Sequence, residues 1–201
     1  MVFYRNELVQ VVGDADAGKT KFILDYIRNF QMQDSGNIVL FSDIDQDLAY
    51  GYLEQNKIDT DRFFYNNGIS FLLDILDSNS GFGLVVVDSL PMVGKSMDIE
   101  LFIQNLRRAV DIQQNLTIMY INQYRHKLGV GNAMLYPWYS NVISKYTDRH
   151  LIIDDGRVDQ EYINNNVKHL KNSTENAFSG LDSKILAMAQ NINEKAVFVC
   201  K

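Results

Sequence analysis

The segment Gly13–Asp14–Ala15–Asp16–Ala17–Gly18–Lys19–Thr20 constrains this chain more than any other part of it. It fits the pattern G-x-x-x-x-G-K-[ST] and lies between a short apolar run, Glu7–Val12, and a stretch with helical periodicity. Strand, glycine-bounded loop and helix form the setting in which this pattern has a mechanical meaning. Glycines let the backbone wrap phosphate oxygens, and the helix N-terminus adds a field that favours anions. In that setting Lys19 reaches the β and γ phosphates of a nucleotide, and the Thr20 hydroxyl binds Mg²⁺.

The rest of the chain supplies the alternation that such a loop needs. Thr20–Phe30 places Phe22, Ile23, Tyr26, Ile27 and Phe30 on one helical face. Strands are expected at Asn37–Ser42, Phe63–Tyr65, Leu84–Val87 and Leu116–Asn122, and helices at Asp47–Gln55, Ile69–Asp77 and Ile99–Gln114. Strands alternating with helices of this length predict a mostly parallel central sheet flanked by helices. Gln123–Ser140 reads as one long loop, and a loop of that length inside a compact domain is usually functional or disordered. Arg149–Ile153, the turn Asp154–Arg157 and Val158–Ile163 predict an antiparallel C-terminal extension, followed by a helix at Ser179–Gln190 and an edge strand at Ala196–Cys200.

With 201 residues and no internal repeat or linker, a single domain over residues 1–201 is expected. The single cysteine, Cys200, excludes a disulfide framework or a thiolate zinc site. No apolar run approaches the roughly 20 residues needed to span a bilayer, and the N-terminus lacks the layout of a signal peptide. A soluble, cytoplasmic protein with no membrane partner is expected. The net charge of −6 argues against coating nucleic acid by bulk charge, although a local basic groove stays compatible with it.

Carboxylates sit where a nucleotide site needs them. Asp88 closes Leu84–Val87, where it either holds the water shell of Mg²⁺ or caps the following segment; beside the Lys19 loop the metal role is favoured. Asp43 and Asp45 close Asn37–Ser42, at the carboxyl edge where ligands of such sheets gather. On spacing alone such acidic residues are more often solvated loop charges than bases, and both readings stay open. His126, His150 and His169 lack metal-ligand spacing and read as surface or loop residues.

Several of these segments together resemble the ATPase core of the RecA/RadA recombinases. VLFSDIDQDL is similar to that family's strand ending in a catalytic carboxylate, LVVVDS to its Walker B strand, and INQYRHKLGV (Ile121–Val130) to its strand-to-loop passage. The resemblance spans roughly residues 5–155 in the correct order. It implies a RecA-like P-loop NTPase fold, ATP and Mg²⁺ as cofactors, and DNA-dependent ATP hydrolysis. By position, Asp45 falls where the family has the glutamate that activates water. Tyr52 falls where an aromatic stacks on adenine, and Gln123 where a glutamine senses the γ-phosphate. Two loops line the DNA channel in that family, here about Leu90–Asp98 and Tyr124–Ser140. Lys95, Arg125 and Lys127 are then the basic DNA contacts, with Trp138 beside them.

This sequence also departs from the family. Asp45 is one methylene shorter than glutamate, which predicts slow hydrolysis. The second loop carries Tyr136, Pro137, Trp138 and Tyr139, whose rings either stack on bases or pack against protein. With a first strand near residue 7, no polymerisation segment is expected, so the chain resembles the core-only phage recombinases, annealing ATPases and truncated paralogues. Lys168 and Lys171 read as a solvated strand face. The leading expectation is an ATP-dependent recombinase or annealing ATPase of DNA recombination and repair. It would bind single-stranded DNA and assemble into a homo-oligomeric filament or ring, or onto a larger recombinase. The alternatives are a non-hydrolysing nucleotide-bound adaptor, a helicase-type motor with Arg149 or Arg157 as its finger, and a small-molecule kinase.

Overall fold

A computed structural model describes residues 3–46, 48–78, 81–127, 134–169 and 198–199. β1 (Leu8–Gly13) lies at the middle of a mixed sheet, buried along its whole length. Its parallel neighbours are β5 (Thr117–Lys127) and β7 (Arg149–Asp154). Beyond β5 come β4 (Leu84–Asp88), β2 (Val39–Asp43) and β3 (Phe63–Asn66), all parallel. β8 (Arg157–Ile163) and β9 (Phe198–Val199) close the two edges in antiparallel pairing with β7 and β3. The order is β8-β7-β1-β5-β4-β2-β3-β9, with β6 (Met134–Pro137) paired to β5 alone. This is the expected fold: a RecA-like α/β sheet, mostly parallel, with an antiparallel C-terminal pair.

Strand alternation divides the core between two faces. Val85 and Val87 of β4 and Ile118 and Tyr120 of β5 pack with α3 (Ile69–Asp77), α5 (Ile99–Ile112) and α6 (Ser140–Tyr146). Leu84, Val86, Met119 and Ile121 point the other way, against Phe22, Ile23, Tyr26 and Ile27 of α1 (Lys19–Gln33). Both faces are covered, so the strands read as continuous apolar runs and not as alternating ones.

Several expectations change. The long loop Gln123–Ser140 is largely structured: β5 runs five residues past Asn122, and β6 returns along it in the register Tyr124↔Pro137, Arg125↔Tyr136, His126↔Leu135 and Lys127↔Met134. Aromatic side chains at Tyr124 and Tyr136 favour extended backbone, and α6 follows at once. The segment after β4 opens as a short helix, α4 (Leu90–Val93), with Pro91 in its first turn, where a missing N–H costs nothing. α2 (Tyr50–Gln55) starts later than Asp47 because the Leu48 amide is taken by the Asp43 carboxylate. The helix expected at Ser179–Gln190 lies outside the described residues, as do Lys171 and Cys200. Lys168 is beyond the end of β8 and not on a strand face; its amide donates to the Lys145 carbonyl at 2.8 Å. Among the described residues no helix is long and apolar enough to cross a membrane.

Candidate nucleotide site and the hairpin beside it

β1 delivers Gly13 to the carboxyl edge of the sheet, and the chain turns through Asp14–Gly18 into α1. Asp16 and Gly18 both take left-handed backbone, at φ 62° and 79°. Gly18 is fixed by a second constraint. A Cβ there would lie 2.6 Å from the Gly156 nitrogen, and one on Gly13 would lie 2.6 Å from the Ile153 carbonyl oxygen. The β7–β8 turn therefore lies directly against the phosphate loop, and the Gly156 amide donates to the Ala17 carbonyl at 2.8 Å.

Lys19 is buried at the first turn of α1, and its ammonium donates to the carbonyls of Gly13 at 3.2 Å and Asp14 at 2.5 Å. Burial pulls its pKa below the ordinary lysine value, opposed by the nearby carboxylates of Asp88, Asp14 and Asp16. A cleft of about 510 Å³ opens above it. Lys19, Thr20, Asp45, Tyr52, Asp88 and Gln123 all line this cleft, brought there from α1, the β2–α2 loop, α2, β4 and β5. Tyr52 forms an outer wall and is 51% exposed. Gln123 stands in register with Gly13, one strand over.

The two carboxylates that spacing left equivalent are separated by the fold. Asp43 is buried outside the cleft, where its Oδ2 accepts from the Tyr65 hydroxyl at 2.9 Å and the Leu48 amide at 3.0 Å. Burial and the adjoining Asp43 carboxylate push the Tyr65 phenol well above its usual range. Asp45 lines the cleft, its Oδ2 accepting from the Ser89 hydroxyl at 2.7 Å. The amides of Ile44 and Asp45 both donate to the Asp88 carbonyl, at 2.5 and 3.2 Å, so the β2–α2 loop is tied to the end of β4.

Asn122, to which the sequence reading assigned no role of its own, ties the cleft to the hairpin. It is fully buried, its Nδ2 donates to the Trp138 carbonyl at 2.9 Å, and its Oδ1 accepts from the Gln123 amide at 2.8 Å. The Trp138 amide in turn donates to the Gln123 carbonyl at 3.1 Å. In the sequence Asn122 stands only within the Ile121–Val130 resemblance, as a polar amide ending an apolar run.

The remaining candidates fall away from the cleft. Arg125 and Lys127 belong to the outer part of β5, beyond Gln123. Lys95 is exposed just after α4, with its ammonium 2.9 Å from the Met92 sulfur. A Cβ on Gly94 would lie 2.0 Å from the Tyr139 hydroxyl oxygen, so the segment after α4 abuts the base of the β5–β6 hairpin. Tyr139 therefore packs against protein; Trp138, 5.9 Å away ring to ring, is half-buried.

β7 places two further residues. Arg149 sits at the amino end of β7, where Glu7 accepts a bidentate pair at 2.7 and 2.8 Å, Glu161 takes another N–H, and the Tyr4 ring lies 4.8 Å away. A guanidinium held this way is committed to the far end of the sheet from the phosphate loop. His150 is neither surface nor loop; it lies on β7, half-buried, with Nδ1 2.8 Å from Gln10 Oε1.

The residues present fit a nucleotide with Mg²⁺. The loop approaches its neighbours too closely for side chains at Gly13 and Gly18, and a hydroxyl (Thr20) and a carboxylate (Asp88) face the same cleft as the lysine. Among the described residues no group of His, Cys, Asp and Glu could hold a metal by protein ligands alone.

No family model matches the chain. It is 27% identical over 146 residues to "Protein RecA" of Leifsonia xyli subsp. xyli, an alignment covering 63% of this chain and 40% of that protein. The chain thus spans about 40% of the length of the curated relative it matches, and the likeness supports a distant, RecA-like relationship.

Proposed function

We propose that this protein binds ATP with Mg²⁺ in the cleft above Lys19 and hydrolyses it in response to single-stranded DNA, as a recombination or annealing ATPase. The observation that carries this reading is the linkage through Gln123. Its side chain lines the nucleotide cleft, while its backbone carbonyl holds Trp138 at the base of the hairpin that bears Arg125 and Lys127. The distant likeness to RecA supports the same assignment.

The roles follow from position. The loop amides of Asp14–Gly18 and the Lys19 ammonium take the phosphates, and Tyr52 offers its ring to the base. Thr20 and Asp88 would hold Mg²⁺, which neutralises phosphate charge when bound. Asp45 orients the attacking water and accepts its proton, and Gln123 meets the γ-phosphate. Lys95, Arg125, Lys127 and Trp138 contact DNA, the cations through phosphates and the indole by stacking. Copies of the chain assemble along the strand as a filament or ring. Arg149, engaged by Glu7 and Glu161, weighs against the helicase-type motor. The nucleotide-bound adaptor is the second reading, favoured by the short Asp45 and its bond to Ser89.

ATP hydrolysis by the purified protein, with and without single-stranded DNA at low and high salt, tests this. DNA should stimulate turnover, and salt should erase the effect. Lys19→Ala should abolish turnover. Arg125→Ala with Lys127→Ala should weaken DNA binding about tenfold or more, and lower the salt slope by about 1–2, with basal hydrolysis retained. Bound ATP with no turnover would favour the adaptor, and unchanged DNA affinity in the double variant would move the DNA surface elsewhere.

A further inference from the structure

Lys21 plays no part in the roles assigned above. It follows Thr20 in the first turn of α1, is exposed, and lines the same cleft as Lys19. Positions two apart on a helix lie about 200° round its axis, so the two lysines approach the cleft from different sides. Lys19 turns toward the end of β1, where its ammonium meets the Gly13 and Asp14 carbonyls. Lys21 turns toward the β7–β8 turn. A Cβ on Gly156 would lie 3.3 Å from its Cδ and 3.8 Å from its Cε, so the glycine leaves a bed for the aliphatic stem. Asp154 and Asp155 adjoin that glycine. Even so, among the described residues no carboxylate forms an ion pair with the Lys21 ammonium.

The charge balance of the cleft calls for a second cation. Asp88, Asp14 and Asp16 all act on Lys19, and a nucleotide brings several more negative charges to the same place. In a loop of this pattern the backbone amides cradle the α and β phosphates, while the lysine and Mg²⁺ cover β and γ. The α-phosphate is left with amides alone. We infer that Lys21 is a specificity residue of this site, whose ammonium pairs with the α-phosphate of a bound nucleoside di- or triphosphate. This rests on the reading of the cleft as a nucleotide site. ADP and ATP share the α-phosphate, so the contact holds substrate and product alike. It favours nucleotides over phosphate anions in general, and it slows release of the diphosphate.

The test is calorimetric titration of the full chain with two probes, each with Mg²⁺: ADP, and an ATP analogue whose β,γ bridge is an imido group. Lys21→Met removes the charge and keeps an unbranched stem against Gly156. It should weaken both probes by the same factor, about tenfold, as loss of one charge-assisted hydrogen bond does. Lys21→Arg, which keeps the cation, should recover most of that loss. Raising the salt concentration should weaken ADP binding less in Lys21→Met than in wild type. Unchanged affinity for both probes overturns the inference. So does a loss confined to the triphosphate analogue, which would place the ammonium at the γ-phosphate. A loss that Lys21→Arg does not restore, together with a lower urea midpoint of the nucleotide-free Lys21→Met protein, also overturns it, since Lys21 would then act by packing. A wild type that binds neither probe overturns the nucleotide site itself, and is told apart because no variant is needed to see it.

Discussion

The Tyr65 hydroxyl and the Leu48 amide converge on a single oxygen of Asp43, at 2.9 and 3.0 Å. That oxygen anchors the loop that carries Asp45 into the cleft and leads to Tyr52, so a tyrosine on β3 shapes a wall it does not touch. Hydrogen bonds to a charged partner contribute about 1.5–3 kcal/mol, more than neutral ones. Tyr65→Phe removes one and keeps the ring. It should lower unfolding stability by about 1–2 kcal/mol in urea titration and raise KM for ATP by several-fold. A KM unchanged from wild type would mean the loop holds its shape without the phenol. At this scale the sequence told much and missed something specific. The Lys19 loop and Asp88 stood out because a phosphate site imposes residue types at fixed spacing, Gln123 was singled out by the resemblance alone, and the fold brings all three to one cleft. Asp43 and Asp45 were not separable, because spacing records only that both end one strand. Ser89 and Asn122 were part of the segments that carry the resemblance but were given no role of their own, because their contacts depend on groups brought near by the sheet.

Among the elements, the β7–β8 turn has the most exacting fit. Asp155 and Gly156 adopt φ 45° and 70°, the left-handed pair of a tight hairpin turn, and Gly156 also donates to Ala17 in the phosphate loop. Asp-Gly between two strand-like runs announced the hairpin. Nothing in the sequence announced that the turn would lie against Gly13 and Gly18. Gly156→Ala should destabilise the fold by about 1–2 kcal/mol, the cost of left-handed backbone for an L-residue. It should also weaken nucleotide binding, because a Cβ there meets the Lys21 side chain at 3.3 Å and disturbs the turn's seat on the loop. Calorimetric titration with ATP checks this; affinity equal to wild type would show that the loop holds its form without the turn. The β5–β6 hairpin is the opposite case. It read as a loop because its apolar and polar residues do not alternate cleanly, and pairing to β5 alone supplies the order that periodicity lacked.

Over the whole molecule, parallel strands send ligand-facing residues to one edge of the sheet, while the other edge is closed by Arg149 with Glu7 and Glu161. Between them, on adjoining strands, lie Gln10 and His150, which link titration to folding. Burial lowers the His150 pKa from its ordinary 6.5, because the imidazolium would lose its water. The unfolded chain then binds the proton more readily than the folded one. The stabilising contribution is complete above 6.5 and is lost as pH falls from there through the lowered folded value. Urea midpoints between about pH 7.5 and pH 5.5 should fall more for wild type than for His150→Gln, which cannot ionise. Parallel trends in the two proteins would assign the acid sensitivity to other groups. Fold class was legible at this scale because alternating strands and helices admit few parallel topologies. An edge strand within Ala196–Cys200 was expected and β9 is one, but the strand it joins was not legible, since edge strands carry weak patterns. Asn122, buried where β5 leaves the sheet, gives that layout a mechanical property. One amide grips both Gln123, which lines the cleft, and the Trp138 carbonyl at the base of the returning strand of the hairpin. From Gln123 to Lys127 the strand extends about 14 Å at roughly 3.4 Å per residue. Any displacement of Gln123 would therefore act on the base of that arm through a single side chain.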